Sequence, residues 1–446
     1  MRRRIFIEKA IIGTCGASLG AAGLLTKSCR GANDKIVLGL IGAGGRGLAN
    51  GLNCCSVNDN VEIKSVCDVD DMKSGRASEE INKKLGYIPV VTRNMKELLD
   101  DPDIDAVYIS TPDHWHALAT IRACQAGKDV YLEKTPTACI WEGNKMIEAE
   151  KRYKRVVQVG LQNRSGLYNI EARDYILGGK LGQVMHINIF NLVGGKKWQS
   201  LPDEKVPATL DWDAWLGPAP YRPYNPGAHK GWHYFRDFSP GFMNDASHQL
   251  DLTRMVLGDP LHPESIYCWG GNHVYNSESE IPEIQNITYD YKEFAITCLS
   301  GHAAKYMSKT SNDIRMDQNR FPDWNTNSTR IEIYGTGGVM FLGRQGGGWQ
   351  VFGPGGETMA QSGGIHSEMD HHINFIECVR SRKRPASTLE QAHLSASLVH
   401  FANIAYRTGN KQLLIDKQNE QFIENDEANK FLKKHYRDNY TIPQEV

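Results

Sequence analysis

A few side chains in this sequence have the types and spacing to move a proton. Glu133-Lys134 closes the apolar run 129–132 (DVYL). His248 lies in 244–251 (NDASHQLD), four residues after Asn244 and three before Asp251. If that stretch is helical, all three share one face. An amine and an imidazole aimed at one alcohol oxygen would stabilise the developing alkoxide and accept its proton. Lys134 is the candidate for the first task and His248 for the second. Asn244 is a hydrogen-bonding partner that is neither acid nor base, and Asp245 falls on a different helical face. The structural alternatives are a satisfied core histidine for His248 and a salt-bridge partner for Lys134.

The elements around these residues read as nucleotide-binding units. Residues 35–41 (KIVLGLI) form an apolar run suited to a buried parallel strand. Gly42, Gly44 and Gly47 follow at once as G-x-G-x-x-G, with Arg46 inside the turn. The first glycine permits the turn, the second lets backbone approach a diphosphate, and the third lets the next helix pack closely on the strand. The run 61–66 (VEIKSV) is the second strand. Asp68 just beyond it is placed to accept from ribose hydroxyls and to repel a 2′-phosphate, which favours NAD over NADP. Further strands at 106–110, 129–132 and 156–159 end in Thr111, Glu133 and Gln162. Ligands collect at such carboxyl ends, so Thr111, His116, Glu133 and Gln162 join the glycine turn as candidate cofactor contacts.

From about Val184 the texture changes. Runs such as 184–193, 287–291, 294–300, 328–335 and 338–342 are strand-like and separated by glycine-rich turns. They predict a large, mostly antiparallel open sheet, with late helices over 368–381 and 388–407. The fold class is therefore α/β: a Rossmann dinucleotide-binding domain over 33–157, then an α+β domain over 158–446. The polar tail after Lys417 reads as a surface wrap. Arg164, Trp232, Tyr234 and Asp251 are candidate substrate contacts, because sugar faces pack on aromatic rings and sugar hydroxyls need polar partners. A plain core role is the alternative for the 232–236 cluster; Trp212 and Trp215 read as packing.

The 446 residues carry 51 Lys+Arg against 52 Asp+Glu, a net charge of −1 that gives no pull toward nucleic acid. Ten cysteines without a CxxC pair provide neither a disulfide scaffold nor the usual zinc spacing. His114 and His116 lack a third ligand, and His366, Asp370, His371 and His372 read as helix packing, so no metal is expected. Arg2 to Arg4 precede an almost uncharged run, 10–25, too short to span a membrane. Residues 3–9 (RRIFIEK) resemble a twin-arginine signal, which predicts a 1–32 export segment and a periplasmic protein. Cys29 after Ser28 is a candidate lipid-attachment site.

The runs 111–117 (TPDHWHA), 129–138 (DVYLEKTPTA), 211–220 (DWDAWLGPAP), 244–251 and 374–385 (NFIECVRSRKRP) resemble the glucose–fructose oxidoreductase / inositol dehydrogenase (Gfo/Idh/MocA) family, in its exported bacterial branch. The family's Glu-Lys-Pro appears as Glu133-Lys134-Thr135-Pro136, and Asn244 stands where many members carry Asp. The resemblance implies an enzyme, homo-oligomeric through its open sheet, that holds NAD and transfers hydride to or from a secondary alcohol of a sugar, glycoside or cyclitol; export in the folded state would carry a tightly bound NAD along. A redox-neutral epimerase or glycosidase working through a transient keto-sugar is a second reading. A non-catalytic sugar or dinucleotide binding protein is a third.

Overall fold

The computed structural model describes residues 35–409 and 411–446. The expected 1–32 export segment, with its paired arginines and Cys29, lies outside the described residues. The first sheet is built from β1 (Ile36–Ile41), β2 (Val61–Cys67), β3 (Val90–Thr92), β4 (Ala106–Ile109), β5 (Asp129–Leu132) and β6 (Val157–Val159), all parallel, in the order β3-β2-β1-β4-β5-β6. β4, β5 and β6 are buried along their whole length, which is why these short runs read as unbroken apolar stretches. Strand order reverses between β1 and β4, so a crevice opens past their carboxyl ends. Gly42 ends β1 at φ 90°, a conformation that side chains other than glycine's rarely adopt. A Cβ on Gly47 would come 1.9 Å from the Gly42 carbonyl, so the first helix, Gly45–Val57, seats against the turn only because position 47 lacks a side chain.

The second sheet has ten strands: β7 (Val184–Leu192), β8 (Ser265–Gly271), β9 (Ile284–Asp290), β10 (Ala295–Gly301), β11 (Arg330–Gly335), β12 (Gly338–Gly343), β13 (Trp349–Phe352), β14 (Thr358–Ser362), β15 (Leu413–Asp416) and β16 (Gln421–Phe422). Their order is β14-β13-β12-β11-β7-β10-β9-β8-β15-β16, antiparallel apart from the β7–β10 pair. One face supplies alternate residues such as Ile187, Ile189, Ile287, Tyr289, Ile296 and Cys298 to a core shared with the helices Met243–Val256 and Leu389–Arg407. The second of these helices starts at a capping box in which Thr388 and Gln391 satisfy each other's backbone. The tail does more than wrap the surface. Ile442 and Val446 are buried in the core under the first sheet, and Lys145 and Arg152 hold the carbonyls of Gln444 and Val446.

Two expected substrate contacts turn out to join the halves of the structure. Arg164, just past β6, donates from Nε and Nη2 to Asp251 at 2.8–2.9 Å and from Nη2 to Asp259 at 2.7 Å. Ser395 closes the network on Asp251 at 2.8 Å. Arg164 and Asp251 are both buried, so they brace the helix Met243–Val256 against the end of the first sheet and are not open to a ligand. Removing one partner strands a buried charge. Arg164→Met is therefore expected to destabilise the fold by about 3–5 kcal/mol in urea titrations; a loss below about 1 kcal/mol would refute the bracing role.

Candidate active site

The crevice at the glycine turn is a cleft of about 690 Å³ lined by Gly42, Gly44, Arg46, Asp68, Thr111 and Trp232, among others. A Cβ at Gly44 would meet nothing within 4 Å, so open space stands before the turn. A carboxylate oxygen of Asp68 accepts from Ala43 N at 2.8 Å and the other from Asp70 N at 3.0 Å. Burial raises its pKa, against the pull of Lys73 and these N–H groups. The carboxylate thus stands at the cleft edge with its orientation fixed by backbone. Glycine turn, open space and oriented acid fit a dinucleotide. Glu133 leads from the cleft to the amine: it accepts from Asn50 Nδ2 at 2.8 Å and from Lys134 N at 3.2 Å, with Arg46 Nε at 3.7 Å.

Lys134 sits at the end of β5 and reaches the first turn of the helix Met243–Val256. Its Nζ donates to Asn244 Oδ1, and Asn244 Nδ2 donates to Asp113 Oδ2 at 2.5 Å. The amide is therefore oriented by its two neighbours, oxygen toward the ammonium and nitrogen toward the carboxylate. Asp245 also belongs to the site, contrary to the helical-face argument. Its carboxylate lies 4.0 Å from Lys134 Nζ, takes a two-pronged contact from Arg344 at 3.0 Å and accepts from Lys309 at 2.9 Å. Burial opposes its ionisation, but Arg344 and Lys134 outweigh that and hold the carboxyl well below the usual range.

Burial lowers the pKa of Lys134; Asp245 draws it back and Arg344 depresses it again, leaving it below the usual value. Burial, reinforced by the charges of Arg344 and Lys134, holds His248 well below the ordinary histidine value. Its imidazole is neutral at pH 7, and no hydrogen bond engages the ring among the described residues. Burial pushes the Asp113 carboxyl up to about 6, despite the opposing charges of His116 and Lys134.

His116 takes a different task from the cofactor contact expected of it. Its ring is buried, with Nδ1 2.6 Å from Thr135 O and Nε2 2.9 Å from Thr111 O, so it ties together the segments that follow β4 and β5. Gln162 is buried just past β6, where its carbonyl accepts from Ser367 Oγ at 2.7 Å. The aromatic cluster divides. Trp232 faces the dinucleotide cleft. Tyr234 stacks on Trp198 at 5.2 Å and meets Phe242 edge-on at 5.7 Å. His114 bonds Trp215 O at 3.0 Å, and Trp215 stacks on Trp212 at 4.6 Å, all as packing. His371 lies against Val159 O and His372 against Tyr108, again within the core.

Sequence reasoning missed Asp113, Lys309 and Arg344 as members of the site. Asp113 was visible inside TPDHWHA as an acid following a strand end. Lys309 and Arg344 arrive from distant turns that carry no local signal.

The described residues match two models of one family. The model of the oxidoreductase family with an NAD-binding Rossmann fold matches residues 36–161. That of the family's C-terminal alpha/beta domain matches residues 176–313 and 362–442. An alpha-N-acetylgalactosaminidase of Shewanella oneidensis is 30% identical over 157 residues, 34% of this chain and 34% of that protein's own length. Two solved structures share the fold. A myo-inositol 2-dehydrogenase of Lactobacillus plantarum has a TM-score of 0.61 at 17% identity, over 86% of this chain and 100% of the other. A dehydrogenase of Bordetella pertussis, in complex with NADH and UDP-GlcNAcA, has a TM-score of 0.61 at 17% identity, over 85% and 99%. Rossmann turn, ten-stranded sheet and matched models agree, and the chain belongs to the Gfo/Idh/MocA family of oxidoreductases.

Proposed function

We propose that the protein transfers hydride between NAD and a secondary alcohol of a sugar, glycoside or cyclitol. The observation that carries this is the meeting of Lys134, Asn244 and Asp113, with His248 one helical turn further on, beside a glycine turn open toward a diphosphate. When bound, the nicotinamide supplies the hydride acceptor or donor. The chain's own residues handle the proton and the charge. Neutral His248 has a free ring nitrogen to take the hydroxyl proton. Lys134 donates to the oxygen as negative charge grows on it. Asn244 holds the amine in place, and Asp113 holds Asn244. Asp245, held ionised by Arg344, keeps a compensating charge near the amine. Backbone-fixed Asp68 offers its carboxylate to ribose hydroxyls, which supports NAD over NADP.

The likeness to an alpha-N-acetylgalactosaminidase favours a second reading, in which transient oxidation of a sugar carbon permits glycosidic elimination and the same hydride returns. Purified protein incubated with glycosides, sugars and inositols separates the two. Reduction of NAD with a keto product marks net oxidation, and a free aglycone without net reduction marks the redox-neutral cycle. Silence across the panel from NAD-loaded protein would favour a binding protein.

Lys134→Met is expected to lower turnover by about 10²–10⁴-fold with NAD affinity nearly unchanged. Near-wild-type turnover in steady-state assays would end the role assigned to the amine. Asp68→Ala is expected to narrow the preference for NAD over NADP by roughly tenfold in nucleotide titrations, and an unchanged ratio contradicts the ribose contact.

Asp113 supplies a pH test. Its folded pKa of about 6 lies above the ordinary carboxyl value. Such a group stabilises the fold at low pH, and that contribution is lost as pH rises from about 4 through about 6. Asp113→Asn is therefore expected to be more stable than wild type at pH 8, by on the order of 2 kcal/mol. It should melt with less pH dependence between about 4 and 6 and turn over roughly tenfold more slowly, having lost the charged anchor of Asn244. Identical pH dependence of melting in the two proteins would show that this carboxyl is not the one titrating.

A further inference from the structure

A second cavity lies away from the cleft, behind the two segments that hold the reactive side chains. It has about 370 Å³ and is walled by the end of the helix Leu389–Arg407, the tail around Lys430–His435 and the loop Arg236–Pro240. Ala138, on the segment that carries Lys134, and Pro240, on the loop that leads to Asn244, form part of its wall. Five cations line it: Arg236, Arg407, Lys430, Lys433 and Lys434. The one carboxylate in the lining, Asp237, is engaged by Arg222 at 2.9 Å. For a chain whose net charge is −1, this is a concentrated excess of positive charge.

The cations are not spent on protein carboxylates. Among the described residues, Arg236, Arg407, Lys430 and Lys433 form no ion pair with an acidic side chain. Lys434 Nζ donates to the carbonyls of Arg236 and Asp237, both at 3.0 Å, which pins the tail against the loop. Arg407 lies over the Phe431 ring with its guanidinium carbon 3.6 Å from the centroid. Stacking occupies the face of a guanidinium and leaves its in-plane N–H donors free. The charge of Arg236 also bears on Arg407, whose pKa burial has already lowered. Asp237, shared with Arg222, offsets part of the repulsion between the two guanidinium groups, and a ligand anion between them relieves the rest.

The rest of the wall is apolar. Tyr406, Phe431, Pro240 and Ile281 present carbon surface to the same space. The volume sits near the lower end of the roughly 300–1,000 Å³ typical of small-molecule pockets. We infer that this cavity binds a small organic anion of monosaccharide size, its phosphate or carboxylate group held by Arg236 and Arg407 and its carbon skeleton against the aromatic and proline wall. The site is separate from the dinucleotide cleft and does not rest on the reaction proposed above.

Isothermal titration at about 0.15 M ionic strength tests this, with NAD present at saturation so that the other anion-binding crevice is filled. Glucose 6-phosphate, glucuronate, inorganic phosphate and glucose are the probes. Saturable binding of glucose 6-phosphate or glucuronate is expected, and whichever binds more tightly identifies the head group. Affinity should exceed that for inorganic phosphate and for glucose by at least roughly tenfold. Binding should fall at least roughly tenfold in the Arg236→Gln/Arg407→Gln double variant, whose melting temperature without ligand should match wild type. Absence of saturable binding, or equal binding by the double variant, overturns the site. Inorganic phosphate binding as tightly as the sugar phosphate overturns the organic class of ligand.

Discussion

An ammonium that is largely withdrawn from water needs its compensating charges near at hand, and Lys134 determines where those charges stand. The side chain is 17% exposed, and two carboxylates serve it. Neither is its nearest oxygen. Asp245 is shared with Arg344 and Lys309, so it is already neutralised from the other side. Asp113 is reached only through the Asn244 amide. The closest acceptor is therefore neutral, and the amine keeps donor capacity for a ligand while the surrounding acids keep it from losing its proton outright. A fully paired lysine would be more stable and less useful for holding a transient alkoxide.

The asparagine makes sense in this setting. A carboxylate at 244 would stand about where the amide nitrogen now lies, 2.5 Å from Asp113. Two carboxylates that close cannot both ionise. With Asp113 behind it, an amide is the group that satisfies an acid on one side and an ammonium on the other. Negative charge near the amine is thus supplied from two places, Asp113 past the end of β4 and Asp245 on the helix, and position 244 itself stays neutral. The helix must then be held in register with the first sheet, because a shift of a fraction of an ångström would break the chain of contacts. Arg164 with Asp251 and Asp259, and His116 across the ends of β4 and β5, provide that register.

What the sequence disclosed follows from how local each signal is. β1, the glycine turn and Asp68 lie within one βαβ unit, so type and spacing suffice. The late helices were expected over 368–381 and 388–407 and lie at Glu368–Ser381 and Leu389–Arg407. β8, β13, β14 and β15 were not singled out: β13, β14 and β15 are only four or five residues long, β8 ends in Gly270-Gly271, β13 and β14 lie beside glycine runs, and β15 pairs with distant β8. In the site, Lys134, Asn244 and His248 were legible because a strand end and one helix face carry them. Arg344 and Lys309 were not, since only the folded chain brings them to Asp245. Arg164 and Asp251 have the right chemistry for a hydroxylated ligand, and burial alone reassigns them. The polar tail masked Ile442 and Val446, two apolar residues in a segment whose average is hydrophilic.

In the reaction proposed above, the amine and imidazole would act alike whether the oxidised carbon is released or restored. The distinction between net oxidation and a redox-neutral cycle must therefore come from what surrounds the ligand. Tyr234, Phe242, Trp198 and His302 form an aromatic wall at the start of the helix that carries Asn244, with Phe242 and His302 centroids 4.1 Å apart. Both ring nitrogens of His302 are buried without a partner among the described residues, and burial disfavours its charged form. An orphaned imidazole in an apolar setting is costly. In the reaction proposed above, this wall would meet a ligand through its ring faces, since the His302 nitrogens themselves are closed to solvent.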